Sequence, residues 1–175
     1  MRFRRLPTLF TMLVLAAVLF AAPATAAAGR DEASRATGAG SFLYAGTIAM
    51  KFSFSAVQLP NGSVAGHFHH SYVSGGFTYD FSGKVTCIAF DAVNGRAWIG
   101  GVLTKVRSTD PTVGEFAGDD AWFRVLDSPG GERSTAMGFV GAIPSSAAYC
   151  AMKIWPDGNA RTWPVTRGKI EVDAS

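Results

Sequence analysis

Downstream of residue 50 the large apolar side chains recur at every second residue, and each such run stops at a pair of turn-forming residues. Phe52, Phe54 and Ala56 share one face of an extended segment, with Lys51, Ser53 and Ser55 on the other. A period of two is that of a half-buried strand. Asn61-Gly62 then supplies a hairpin signal, because both residues accept positive φ. Val64 to Tyr72 makes the return strand and Gly75-Gly76 the next turn. Phe77, Tyr79, Phe81, Val85 and Cys87 are expected on one face of the following strand, which turns again at Asn94-Gly95. Arg96 to Val106 is apolar on both faces and reads as a central strand, with a bulge or bend at Gly100-Gly101. Further strands are expected at Trp122 to Asp127, Met137 to Val140, Tyr149 to Ile154 and Lys169 to Val172, and no window predicts a helix within this body.

Consecutive strands joined by tight turns imply antiparallel meander order. The fold class is all-β, an antiparallel meander closing into a small barrel of about eight strands. A β-sandwich is the alternative, since periodicity alone does not separate the two.

Residues 1–26 have the pattern of a secretory signal peptide. Arg2, Arg4 and Arg5 precede an apolar run from Leu6 to Ala22, and Ala24-Thr25-Ala26 offers small residues for cleavage. The run is shorter than the ~20 apolar residues of a membrane span, so no span is expected after cleavage. Three of the sixteen Lys and Arg residues, and none of the thirteen Asp and Glu, lie in this segment. The remaining chain is therefore charge-balanced, without the basic excess that nucleic-acid binding requires. Residues 27–40 carry no large apolar side chain and are expected to be a flexible lead-in. Residues 41–175 are expected to form a single β domain. Cys87 and Cys150 are the only cysteines, and in an exported chain they are expected to pair.

Several short segments together carry a resemblance. They are Phe52-Ser53-Phe54-Ser55-Ala56, Asn61-Gly62 with Gly66-His67-Phe68, Gly83-Lys84-Val85-Thr86-Cys87, Arg96-Ala97-Trp98-Ile99-Gly100-Gly101 and Gly168-Lys169-Ile170-Glu171-Val172. The strung-together pattern resembles a family of small secreted bacterial β-barrel proteins to which no activity is attached. Asp127-Ser128-Pro129-Gly130-Gly131 departs from the Asp-x-Gly-x-Gly segment common in that family. The resemblance implies an architecture and no catalytic residue.

The histidines cluster at His67, His69 and His70. His67 and His69 share a strand face and form a candidate metal pair, similar to the His-x-His of cupins. The glutamate that a cupin places four or five residues later is replaced by Val73 and Ser74. Asp80, Asp119 or Asp120 would have to supply a carboxylate. The face of Val64 and Phe68 is the more apolar, which sends His67 and His69 to the wetter side. Asp119 and Asp120 are expected in turn or cap roles. Trp98, Trp122 and Arg124 are candidate ligand-binding residues, because aromatic rings and a guanidinium on one strand face can stack on a ligand.

These features predict a secreted barrel without catalytic activity, binding a small apolar ligand or a surface partner in a lumen lined by rings such as Trp98, Trp122, Trp155, Trp163, Phe52, Phe54, Phe77, Phe81 and Phe90. The alternative is a metal-dependent enzyme using the His67/His69 face, or a cyclase-like one by analogy with the barrels of allene oxide cyclases. No cofactor is specified by the sequence. The expected mature N-terminus is near Ala27. Mass spectrometry of protein recovered from the culture medium checks this, and an intact Met1 there refutes it.

Overall fold

The structure is a computed structural model that describes residues 32–174. The expected signal peptide and residues 27–31 of the expected lead-in lie outside the described residues. Nine strands make one antiparallel sheet: β1 (Ser34–Tyr44), β2 (Ile48–Gln58), β3 (Val64–Ser74), β4 (Phe77–Asp91), β5 (Arg96–Ser108), β6 (Asp120–Leu126), β7 (Arg133–Ser134), β8 (Gly138–Phe139) and β9 (Trp163–Asp173). The first five pair in chain order, as the turn signals require. β1 also pairs with β9, and β5 with β6. β6 reaches β9 through the two-residue β7, so the sheet closes into a ring. The expected barrel is the fold.

The turns form at the expected places, with positive φ at the glycines but at neither Asn61 nor Asn94, which ends a 3-10 turn over Ala92–Asn94. Gly62 has φ 81°, Gly75 60°, Gly76 83° and Gly95 62°, a region open to glycine at no steric cost. The side chain of Asn61 holds its turn by accepting from the amide and hydroxyl of Ser63, at 3.0 and 2.7 Å.

Inside the ring, Phe42, Phe52, Phe54, Phe68, Phe81 and Phe123 pack with Ile99, Leu103 and Ile170. The Phe54 and Phe68 rings meet Phe123 edge-on at 5.3 and 5.9 Å. Phe68 lies where a Cβ on Gly83 would sit, 2.2 Å from its Cζ. A larger residue at Gly83 therefore has no space without displacing the central ring. Several rings expected to line an open lumen fill it instead.

The structure corrects the expectations at five places. Ser34–Gly40, expected within the flexible lead-in, form most of β1. Their small side chains are required by close neighbours on both sides. A Cβ on Gly38 would fall 2.8 Å from the Phe54 ring, and one on Gly40 2.2 Å from the Arg167 carbonyl oxygen. Second, Cys87 does not share the face of Val85. The β4–β5 register shifts there, with Thr86 the extra residue of a bulge, and the bulge inverts which side chains point inward. Val85 and Ile88 face the core while Cys87 turns outward. Third, the bulged residues are Thr86 and Thr104, not Gly100-Gly101. Gly100 instead permits close approach, since a Cβ there would lie 2.8 Å from Cys87 Sγ and 2.9 Å from Ser146 Cβ.

Fourth, the short strand expected at Tyr149 to Ile154 is replaced by the helix α1 (Ser146–Met152). Seven residues are too few to show a helical period in sequence. Ser145 caps the helix by accepting from the Ala148 amide at 3.1 Å, and Asp120 accepts from the amide and hydroxyl of Ser146. Fifth, the strand expected at Met137 to Val140 is only Gly138–Phe139, paired to β6.

α1 lies on the outer face of β4, β5 and β6 and buries Trp98 and Trp122 beneath Tyr149. The Cys87–Cys150 disulfide ties the helix to β4. Cross-links of this span stabilise by about 4 kcal/mol in the loop-entropy treatment. Replacing both cysteines with alanine is expected to lower unfolding stability by roughly 2–4 kcal/mol. The variant's tryptophan emission should shift to the red as α1 loosens from Trp98 and Trp122. Denaturant melts and fluorescence spectra check this, and an unchanged melt would refute it.

Candidate functional site

The barrel has a mouth at the end where β1, β3 and β5 finish. β3 brings Tyr72 there and β4 brings Tyr79, directly opposite each other across the Gly75-Gly76 hairpin. Their rings stack with centroids 4.6 Å apart. Tyr44 arrives at the end of β1 and packs against Trp163 of β9 at 4.6 Å. Together with Met50, Met137 and Phe139 they line a cavity of about 440 Å³. The segment after β5 forms one rim, carrying Asp110, Val113 and Glu115. Phe139 contacts Phe81 at 5.2 Å, so the phenylalanine core lies directly beneath.

The rim is held by hydrogen bonds to one carboxylate. Tyr79 Oη donates to Asp110 Oδ2 at 2.6 Å, and the amide and hydroxyl of Thr112 donate to Asp110 Oδ1 at 2.9 and 2.7 Å. These donors hold the Asp110 carboxyl below its ordinary range. The same bond, with burial, pushes the Tyr79 phenol up to about 12. Tyr72 is raised first by burial and then by the charge of Glu115. At neutral pH the mouth therefore presents neutral phenols beside an ionised Asp110.

One layer below Tyr72, His70 is fully buried, with its ring 4.8 Å from that of Phe123. Among the described residues neither ring nitrogen has a hydrogen-bond partner. Burial, and secondly His69, lower its pKa to about 3, so it is held as a neutral imidazole.

His67 and His69 point outward, as the apolar face of Phe68 implied. His69 Nε2 lies 2.9 Å from Asp80 Oδ2, and Asp80 stands opposite Arg107 in the β4–β5 ladder. One of the anticipated carboxylates thus meets one histidine of the pair. Among the described residues no three His, Cys, Asp or Glu side chains are grouped to hold a metal ion. Asp119 accepts from the Phe116 amide at 2.7 Å, a turn role, and Asp120 caps α1.

The candidate ligand-binding trio is divided. Trp98 is covered, 2% exposed, with its indole donating to the Ile154 carbonyl at 2.9 Å. Trp122 stacks on Tyr149 at 5.6 Å. Arg124 lies over the Trp155 ring at 5.4 Å and donates to the Ala160 carbonyl at 3.0 Å. Trp122 and Arg124 line a small outer cleft of about 200 Å³ with Tyr149 and Arg161. None of the trio reaches the mouth.

Sequence reasoning missed Tyr44, Asp110 and Glu115, whose meeting depends on ring closure and on a long loop. Tyr72 and Tyr79 carried a usable signal: both flank one hairpin turn with inward parity. His70 carried one too, two residues from Phe68 on the apolar face. The chain matches no protein-family model, no curated protein and no solved structure.

The buried imidazole makes stability depend on pH. The unfolded chain takes up a proton near the ordinary pKa of 6.5, which the folded chain refuses until about 3. The contribution of neutral His70 is complete above pH 6.5 and is lost on acidification, with a slope of up to about 1.4 kcal/mol per pH unit. His70→Phe is expected to flatten stability between pH 6.5 and 4.5. Urea unfolding of both proteins at the two pH values checks this, and parallel losses would refute it.

Proposed function

We propose that this chain is an exported, non-catalytic β-barrel that binds one small ligand in the tyrosine-lined mouth. The observation that carries the reading is the convergence of Tyr44, Tyr72, Tyr79 and Asp110 around a half-open cavity of about 440 Å³. Ligand sites usually fall between roughly 300 and 1,000 Å³, with apolar walls and a few convergent polar groups. Here Ile48, Met50, Val113, Met137 and Phe139 supply apolar surface, and Tyr44, Tyr72, Tyr79 and Asp110 supply the polar points. The ligand is therefore amphipathic, with an apolar body against the floor and a polar end at the rim.

The internal chemistry of the mouth favours holding over transforming. The phenol of Tyr79 is committed to Asp110 and pushed up to about 12, far from the pKa near working pH that general acid–base work prefers. The disulfide is compatible with an oxidising compartment outside the cytoplasm.

Methyl resonances of Met50, Met137, Ile48 and Val113 offer a direct readout. A panel of small ring-bearing alcohols and amines is expected to include members that shift these methyls saturably and leave β-strand amides elsewhere unmoved. Val113→Trp, which fills the rim, should abolish the shifts while the fold persists by circular dichroism. A panel that never saturates the mouth, or that scatters its shifts over the whole surface, would refute the reading.

A further inference from the structure

Resting on the mouth as the ligand site, we infer that its ligand is an organic cation, an ammonium head on a compact apolar body. Two carboxylates, Asp110 and Glu115, stand among the lining residues, and no Lys, Arg or His does. Lys51 and Arg107 line the adjoining depression, which shares Tyr72 and Tyr79 with the mouth and also holds Asp80. The lining of the mouth is thus negative in a chain of formal net charge +3.

The two carboxylates are placed differently. Asp110 has its oxygens occupied by Tyr79 and Thr112, so it contributes a fixed charge. Glu115 is half-buried in the rim and acts electrostatically on Tyr72, which puts its charge close to the stacked phenols. Three phenol rings line the same space. Tyrosine faces attract cations through the ring quadrupole, by about 0.5–1 kcal/mol when exposed and about 2 when desolvated. Carboxylates at the rim add to that attraction and repel anions. A neutral apolar molecule would gain only from the methionine and phenylalanine floor. An anion would meet two like charges.

Choline and its uncharged isostere 3,3-dimethylbutan-1-ol separate these cases, because they share shape and differ in charge. Each is titrated into the intact exported protein, observed through the Met50 and Met137 methyls, with the ring-bearing panel as reference. Choline is expected to bind in the mouth at least tenfold tighter than the isostere and to weaken as sodium chloride rises. Glu115→Gln should cost about tenfold in choline affinity and leave the isostere unchanged, with Glu115→Asp recovering part of the loss. Equal affinity for the two probes, or no effect of Glu115→Gln in a variant with a native circular-dichroism spectrum, would overturn the inference and leave the mouth as a site for neutral ligands. Failure of the cation, the isostere and the whole panel to move the mouth methyls would overturn the inference and the proposed function together.

Discussion

Closure of the sheet is the constraint on which the rest of this molecule depends. An open sheet would leave β5 and β9 as edges with unmet backbone groups. β6 removes one edge by pairing with β5 over seven residue pairs, from Val102–Asp120 to Arg96–Leu126. The other edge is met thinly, through two pairs to β7 and two from β7 to β9. Side chains complete that seam. Thr135 Oγ1 accepts from the Arg124 amide at 3.0 Å, Arg133 donates to the hydroxyl and carbonyl of Thr162 at 2.8 and 2.7 Å, and Asp127 accepts from the Val172 amide at 3.1 Å. Ser134, Thr135 and Thr162 are buried polar residues because this is where the ladder is short and hydroxyls stand in for it. The same seam carries Ala136, Met137 and Phe139 to the mouth, so ring closure and the cavity there are one construction.

A single extra residue in β4 divides the inside of the barrel from the outside attachment. Without the bulge at Thr86, Cys87 would follow Val85 into the core and no disulfide to α1 could form. With it, Ile88 takes the core position and Cys87 meets Cys150 on the outer face. Glycine at position 100 leaves room for the helix start against the sheet. α1 then covers Trp98 and Trp122, and Trp155 closes the patch edge-on to Trp98 at 5.7 Å. Trp155 also has Arg96 over its ring at 4.9 Å. Three of the four tryptophans thus serve an exterior cluster, and only Trp163 belongs to the interior stack, 6.1 Å from Phe42.

Along the barrel axis polarity rises toward the mouth. Phe54 and Phe68 form a dry middle, His70 occupies the next layer between Phe52 and Phe81, and Tyr72 and Tyr79 with the carboxylates form the rim. A neutral imidazole without hydrogen bonds costs free energy that a phenylalanine would not, on the order of 1–3 kcal/mol for an unmet buried polar group. The large aromatic core around it supplies the stability that tolerates such a residue.

Alternation and turn chemistry determined, by themselves, that this chain is an antiparallel β structure of about eight strands with hairpins at Asn61-Gly62, Gly75-Gly76 and Asn94-Gly95. Those signals are local, because a period of two and a positive φ depend only on neighbouring residues. The outward placement of His67 and His69 was legible for the same reason. Tertiary structure alone decided the parity of Cys87, the helix at Ser146–Met152, the ordering of Ser34–Gly40 in β1 and the composition of the mouth. Each depends on an extra residue, a covering element or a neighbour distant in sequence, and none leaves a local period. Asp110 reaches Tyr79 only because the loop after β5 folds back over the β3–β4 hairpin, and Tyr44 reaches Trp163 only because the first and last strands meet. A site assembled from ring closure is written in pairings between chain ends, which no local reading contains.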